Sequence, residues 1–135
     1  MVICYIFVLK RPIFPIYPVS PTTLTNGVWA NGAITAGTSE VWYEFIATVG
    51  IDYYFWLNES GGATNGDGTK TLNAKADLYY PDGTFIVGPY SAWNTYDNKF
   101  TATGTKIYIK VTSQTSGGTG TFGFALSTSS TRPST

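Results

Sequence analysis

What most constrains this chain is a two-residue rhythm that never gives way to a helical one. In "SEVWYEFIATVG" (39–50), Val41, Tyr43, Phe45 and Ala47 alternate with Trp42, Glu44, Ile46 and Thr48, and Gly50 ends the run. "IDYYFWLNES" (51–60) sets Ile51, Tyr53, Phe55 and Leu57 against Tyr54, Trp56 and Asn58. Period-two alternation is the mark of strands with one face buried. Joined near Gly50, these two runs read as a hairpin. "TLNAKADLYY" (71–80), "TKIYIKVTS" (105–113) and "GTFGFALSTS" (120–129) alternate in the same way, and "GAITAG" (32–37) and "TFIVG" (84–88) read as shorter strands. Between them lie "NGA", "GGATNGDGT", "PDGT", "TGT" and "SGGTG", which are turn chemistry. No 3.6-residue period persists for three turns, and no fixed-period repeat occurs. Several short alternating strands separated by turns predict one antiparallel β-sandwich over about residues 22–128. Its expected core is Tyr43, Phe45, Tyr53, Phe55, Leu57, Leu78, Ile107, Ile109, Val111, Phe122, Phe124 and Leu126.

Composition narrows the function classes. Charged residues make up 12% of the 135, about half the usual share, and the net charge is zero. Eight Lys and Arg scattered from Lys10 to Arg132 form no basic patch, so nucleic acid is not an expected partner. There is no His, which removes the commonest general base and every triad built on imidazole. No Ser-x-x-Lys occurs to replace it. The carboxylates Glu40, Glu44, Asp52, Glu59, Asp67, Asp77, Asp82 and Asp97 sit mostly beside Gly and Thr, in the ordinary solvated placement. A non-enzyme is expected. Cys4 is the single cysteine and forms no internal disulfide.

The first 21 residues differ from the rest. "VICYIFVL" (2–9) is apolar but far too short to span a membrane, and no basic segment precedes it as in a signal peptide. Pro12, Pro15, Pro18 and Pro21 then recur every three residues, which favours an extended, polyproline-like path. Residues 1–21 therefore read as an apolar strand plus a Pro-rich arm or linker, and 129–135 as a Ser/Thr-rich tail. Residues 2–9, left free, would invite strand pairing within the molecule or with a neighbouring copy, as a homopolymer.

The order "LTNGVWANGAITAGTSEVWYEFIATVG", "KADLYYPDGT", "GTKIYIKVTS", "GTGTFGFAL" resembles the bacterial pre-peptidase C-terminal domain. The residues that carry the resemblance are Leu24, Asn26 and Gly27; Gly32; Tyr43, Phe45 and Gly50; Ala76, Asp77, Leu78 and Tyr80; Tyr108, Ile109 and Val111; and Gly120 to Phe124. With "WYEF", "NGDGTKT", "SAW", "IYIKV" and "GTGTFGFALSTSSTRP", the chain is most similar to a module of spirochaete surface and secreted proteins. The likeness covers roughly residues 22–133 and leaves the arm outside it. It implies a jelly-roll-like all-β sandwich on an extracellular or cell-surface protein, non-catalytic, sometimes binding carbohydrate, matrix or calcium. No cofactor is otherwise expected, and a glycan or a surface protein is the expected partner.

Two sets of residues are candidates for a site. Asp77 stands mid-strand between Ala76 and Leu78, pointing away from the core. Either its carboxylate accepts backbone N–H bonds from a nearby loop, or it ligates Ca²⁺ with Asp67, Glu59 and Asn65 of "ESGGATNGDGTK". The "NGDG" there lacks the spacing of an EF-hand loop, and a turn needing positive φ explains it without a metal. Among aromatics, Trp93 lies in the polar stretch "YSAWNTYDN" beside Tyr90, Tyr96 and Asp97, a composition suited to stacking a sugar ring and bonding its hydroxyls. Trp42 and Trp56 alternate with core residues, with Tyr54 and Tyr79 nearby. They form either an aromatic platform or a second small core covered by a loop or the N-terminal arm.

Overall fold

The computed structural model describes residues 14–60, 66–90 and 98–134. Nine strands are defined among them: β1 (Thr22–Thr23), β2 (Ala30–Ile34), β3 (Glu40–Ile46), β4 (Asp52–Asn58), β5 (Ala74–Tyr79), β6 (Phe85–Tyr90), β7 (Lys99–Thr101), β8 (Lys106–Ser113) and β9 (Gly120–Ser127). They build two sheets, β1-β3-β8-β5-β6 and β2-β9-β4-β7, that face each other as a sandwich. Every pairing is antiparallel except that of β1 with β3. There is no helix among the described residues, hence none long and apolar enough to cross a membrane.

The alternation places the core as expected. All twelve predicted core residues are buried, most of them fully. The two sheets interlock through aromatic edges: Tyr43 of β3 meets Phe122 of β9 at 6.3 Å, and Phe45 meets Tyr53 of β4 at 5.2 Å, both near perpendicular. Such edge-to-face pairs add about 0.5–1.5 kcal/mol to the burial itself. Tyr43 lies so deep that burial pushes its hydroxyl up to about 12.

Residues 39–60 do not form a hairpin. β3 pairs with β8 and β1 in one sheet, whereas β4 pairs with β9 and β7 in the other. The chain crosses between layers at 47–51, held by Ala47 N–H to the Thr105 carbonyl and Gly50 N–H to that of Ala102, each 2.8 Å. Ile51, expected inside, is 42% exposed because it belongs to this crossover and not to the strand.

The arm is described from Phe14. Residues 14–21 are neither helix nor strand, and Ile16 donates its N–H to the Pro81 carbonyl at 2.8 Å. Phe14, Tyr17 and Val19 point outward. The apolar stretch 2–9 lies outside the described residues.

Candidate functional site

The outer face of the four-stranded sheet holds the most developed site. In β9, Phe122, Phe124 and Leu126 face the core, so Gly123 and Ala125 face out. Gly123 is paired with Asn31 of β2 on one side and Asn58 of β4 on the other. Ala125 pairs with Trp56, and Trp29, one residue before β2, stands level with it on the far side. Two small residues in a central strand thus make a trough walled by two indoles and two amides. A Cβ on Gly123 would sit 3.2 Å from Asn31 Oδ1 and 3.4 Å from both Asn58 Cβ and Trp29 Cε3. The wall residues close in because that position is glycine.

Beside this trough opens a cleft of about 470 Å³ lined by Trp29, Asn31, Asn58, Asp67, Lys70 and Ser134, with Gly27 and Val28 at its end. Asn58 is 2% exposed, and its Oδ1 accepts the Asp67 N–H at 3.1 Å. Asp67 Oδ1 accepts the Thr69 hydroxyl at 2.5 Å and the Thr69 N–H at 2.9 Å. Those hydrogen bonds, the hydroxyl's first, draw the carboxyl down to about 2, and Lys70 adds a small push the same way. At neutral pH the cleft therefore presents an ionised Asp67 carboxylate, beside the Lys70 side chain, two amides and one indole wall.

The C-terminal strap crosses the same face. Trp29 Nε1 donates to the Pro133 carbonyl at 3.0 Å, and the Arg132 guanidinium lies 4.8 Å above the Trp29 ring. Arg132 Nη2 also donates to the Leu57 carbonyl at 3.2 Å. Ala125, though outward, is fully buried. Where the arm was one expected cover for a second small core, it is the strap that lies on this face.

Trp42 is elsewhere. It lies on the outer face of the five-stranded sheet, 6.2 Å from Tyr79, with Lys110 Nζ 5.8 Å and 5.7 Å from the two ring centres. Its Nε1 donates to Glu40. Trp42 and Trp56 thus face opposite ways and share no platform, because β3 and β4 belong to different layers. Tyr79 does meet Trp42, while Tyr54 lies with Trp56 on β4.

The carboxylates are separated in the same way. Asp77, on β5, points out of the five-stranded sheet opposite Lys110, whereas Asp67 rims the cleft on the other sheet. Burial raises the Asp77 carboxyl above its ordinary value, and Lys110 and Lys75 partly offset this. No backbone N–H among the described residues donates to it; the turn that follows is pinned by Asp82, which accepts the Thr84 N–H at 2.8 Å. Glu59 is 1% exposed, and its Oε2 accepts the Ala74 N–H at 2.8 Å, tying the end of β4 to the start of β5. Among the described residues no three His, Cys, Asp or Glu side chains gather closely enough to hold a metal ion. Asn65, Trp93, Tyr96 and Asp97 lie outside the described residues, and Tyr90 is placed only as the last residue of β6.

Trp29, Asn31 and Lys70 were not singled out by sequence. One signal pointed to them: Gly123, a glycine at an outward position between two core phenylalanines, marks a place where something approaches a strand closely.

No protein-family model matches the sequence, and no curated protein matches it. Solved structures resemble the fold. The pre-peptidase C-terminal domain of a collagenase from Bacillus anthracis superposes with a TM-score of 0.56 at 14% identity, covering 82% of this chain and 98% of that one. Periplasmic inhibitors of g-type lysozyme from Salmonella Typhimurium and Aeromonas hydrophila each give a TM-score of 0.49, at 14% and 16% identity, over 78% of this chain and 98% and 95% of theirs. The first of these supports the sandwich expected from the motifs; it is a likeness of fold.

Proposed function

We propose that this chain is a non-catalytic binding module of an extracellular or cell-surface protein, and that it takes a glycan in the cleft of the four-stranded sheet. The observation that carries this reading is the lining itself: Trp29, Asn31, Asn58, Asp67 and Lys70 converge on about 470 Å³. That volume falls in the range of small-ligand sites, roughly 300–1,000 Å³. An indole offers a flat apolar wall to the C–H face of a pyranose, while side-chain amides and a carboxylate bond its hydroxyls. The surface setting rests on composition, sparse in charge and rich in Tyr, Thr, Ser and Gly. Among lining residues, Asn31 is exposed, while the Asn58 amide is preset by accepting the Asp67 N–H.

A glycan array probed with the full chain tests the reading, alongside Asn31→Ala and Lys70→Ala. A defined set of glycans bound by the wild type and lost by both variants supports it. Silence across the array removes it.

A second reading, a structural subunit of a fibre or surface layer joined through residues 2–9, is favoured by one observation. The described part of the arm is anchored at Pro81 yet turns Phe14, Tyr17 and Val19 to solvent. Sedimentation of the full chain against a form lacking residues 1–21 separates the two. An unchanged assembly state makes the arm a linker.

A further inference from the structure

The strap that crosses the four-stranded sheet is bound in the manner of a ligand. Its backbone carbonyl at Pro133 is taken by an indole N–H, and the preceding Arg132 lays its guanidinium over the same indole. The guanidinium then reaches the Leu57 carbonyl. That carbonyl points away from β9, since Phe55, two residues earlier, donates its N–H to the Asn98 carbonyl at 2.9 Å and accepts the Asn98 side-chain amide at 3.2 Å, both on the β7 side. Among the described residues it is the strap that meets the Leu57 carbonyl. A donor aimed at a proline carbonyl, an aromatic face for a planar cation and a strand carbonyl for its N–H make a three-point reading of an Arg-Pro step. Aromatic-lined grooves recognise extended Pro-containing segments by the same chemistry, because the proline holds the backbone extended before it binds.

Groove and strap differ in how they are held. The groove is made by Trp29, Gly123, Ala125 and Trp56 on or beside strands of the packed sandwich, and Gly123 and Ala125 are buried beneath it. Thr128 is tied to Asn26 by two hydrogen bonds, but beyond it residues 129–131 are exposed and held by local turns, in which Ser127 Oγ accepts the Ser129 N–H and Ser129 Oγ accepts the Thr131 N–H. A segment of that kind opens without unfolding the sheet under it. In the same face the buried Trp56 indole N–H has no acceptor among the described residues, a second donor for a peptide carbonyl.

We propose that this groove is a docking site for an extended peptide segment carrying an Arg-Pro step, delivered in trans, with the chain's own strap as its resident competitor. The groove shares Trp29 with the neighbouring cleft, but the inference rests on the strap's contacts and not on glycan binding.

The probe is a fluorescently labelled peptide of residues 128–135, titrated into the full-length chain and into full-length Arg132→Ala, whose own strap has lost its guanidinium contacts with Trp29 and the Leu57 carbonyl. The R132A chain should bind the peptide saturably, about tenfold or more tighter than it binds the same peptide with its Arg replaced by Ala. The wild-type chain should bind it more weakly, because its tethered strap competes at high effective concentration. Should the R132A chain fail to fold, the wild-type chain carries the test: millimolar peptide must shift the Trp29 indole N–H resonance. Absence of saturable binding to the folded R132A chain, equal binding of the two peptides, or an unmoved Trp29 resonance would each overturn the proposal.

Discussion

The carboxylate of Asp77 occupies the space that a side chain on Gly88 would need. A Cβ built on Gly88 would lie 2.6 Å from Asp77 Oδ1 and 2.9 Å from the Ala76 carbonyl oxygen, and Gly88 itself has φ of +142°. The register of β5 against β6 shifts here, between Ala76 and Leu78. An acidic residue in mid-strand is thus seated over a glycine on the neighbouring strand where the ladder is irregular.

Gly88→Ala should accordingly destabilise the sandwich by about 1–3 kcal/mol, from a backbone conformation that side chains rarely adopt and from the clash. Urea unfolding measures it. Combining it with Asp77→Gly should recover only part of the loss, since the Ala76 carbonyl remains in the way. Full recovery would mean that the carboxylate alone sets the glycine requirement.

Asp77 and Asp67 should give opposite pH dependences. The Asp77 carboxyl is raised in the folded state, so the folded chain holds that proton more firmly than the unfolded one. Its contribution favours the fold below the unfolded pKa and is lost as pH rises through the folded value. Asp67 is lowered to about 2, so its contribution is present above the unfolded value of 3.8 and lost as pH falls towards 2. Asp77→Asn should remove a decline in stability with rising pH, and Asp67→Asn should remove a gain. Stability curves of the two variants between pH 2 and 6 read this directly; the same sign for both would refute the assignment.

Ile109→Ala, at a fully buried position in β8, should cost about 2–5 kcal/mol as a cavity. A cost near zero would mean that the strand register is wrong by one residue.

Calcium should leave the melting temperature unchanged. Asp67 and Asp77 lie on opposite faces of the sandwich, and Glu59 is engaged between its sheets. A ligand specific to the folded state must raise the midpoint, so a rise in millimolar Ca²⁺ would point to ligands beyond these.

The core was legible because alternation reports which side of a strand is apolar, and Tyr43, Ile109 and Phe124 all obeyed it. What alternation does not report is which sheet a strand joins. The inner faces of both layers of a sandwich have the same pattern, so β3 and β4 read as a hairpin although Gly50 carries the chain from one layer to the other. The pairing of Trp42 with Trp56 failed for that reason. β1 and β7, at two and three residues, are too short to show a period at all. The cleft was hidden further. Asn31 and Asn58 are 27 positions apart and become neighbours only because each pairs with Gly123. The strap's interest rests on Arg132 and Pro133, two residues in a tail whose composition suggests nothing.

Gly123→Val should press on Asn31, Asn58 and Trp29, three residues that line the cleft and lie within 3.4 Å of the added Cβ. It should weaken glycan binding at least tenfold while the folded spectrum persists, as isothermal titration would show.

The most direct test of the binding account is an ¹⁵N-resolved titration of the full chain with a glycan selected on the array. Side-chain amide resonances of Asn31 and Asn58 and the backbone resonances of Asp67 and Lys70 should move together with one Kd, while those of Trp42, Asp77 and Lys110 on the opposite face stay still. Shifts confined to the opposite face, or to residues 91–97, would contradict the cleft as the site.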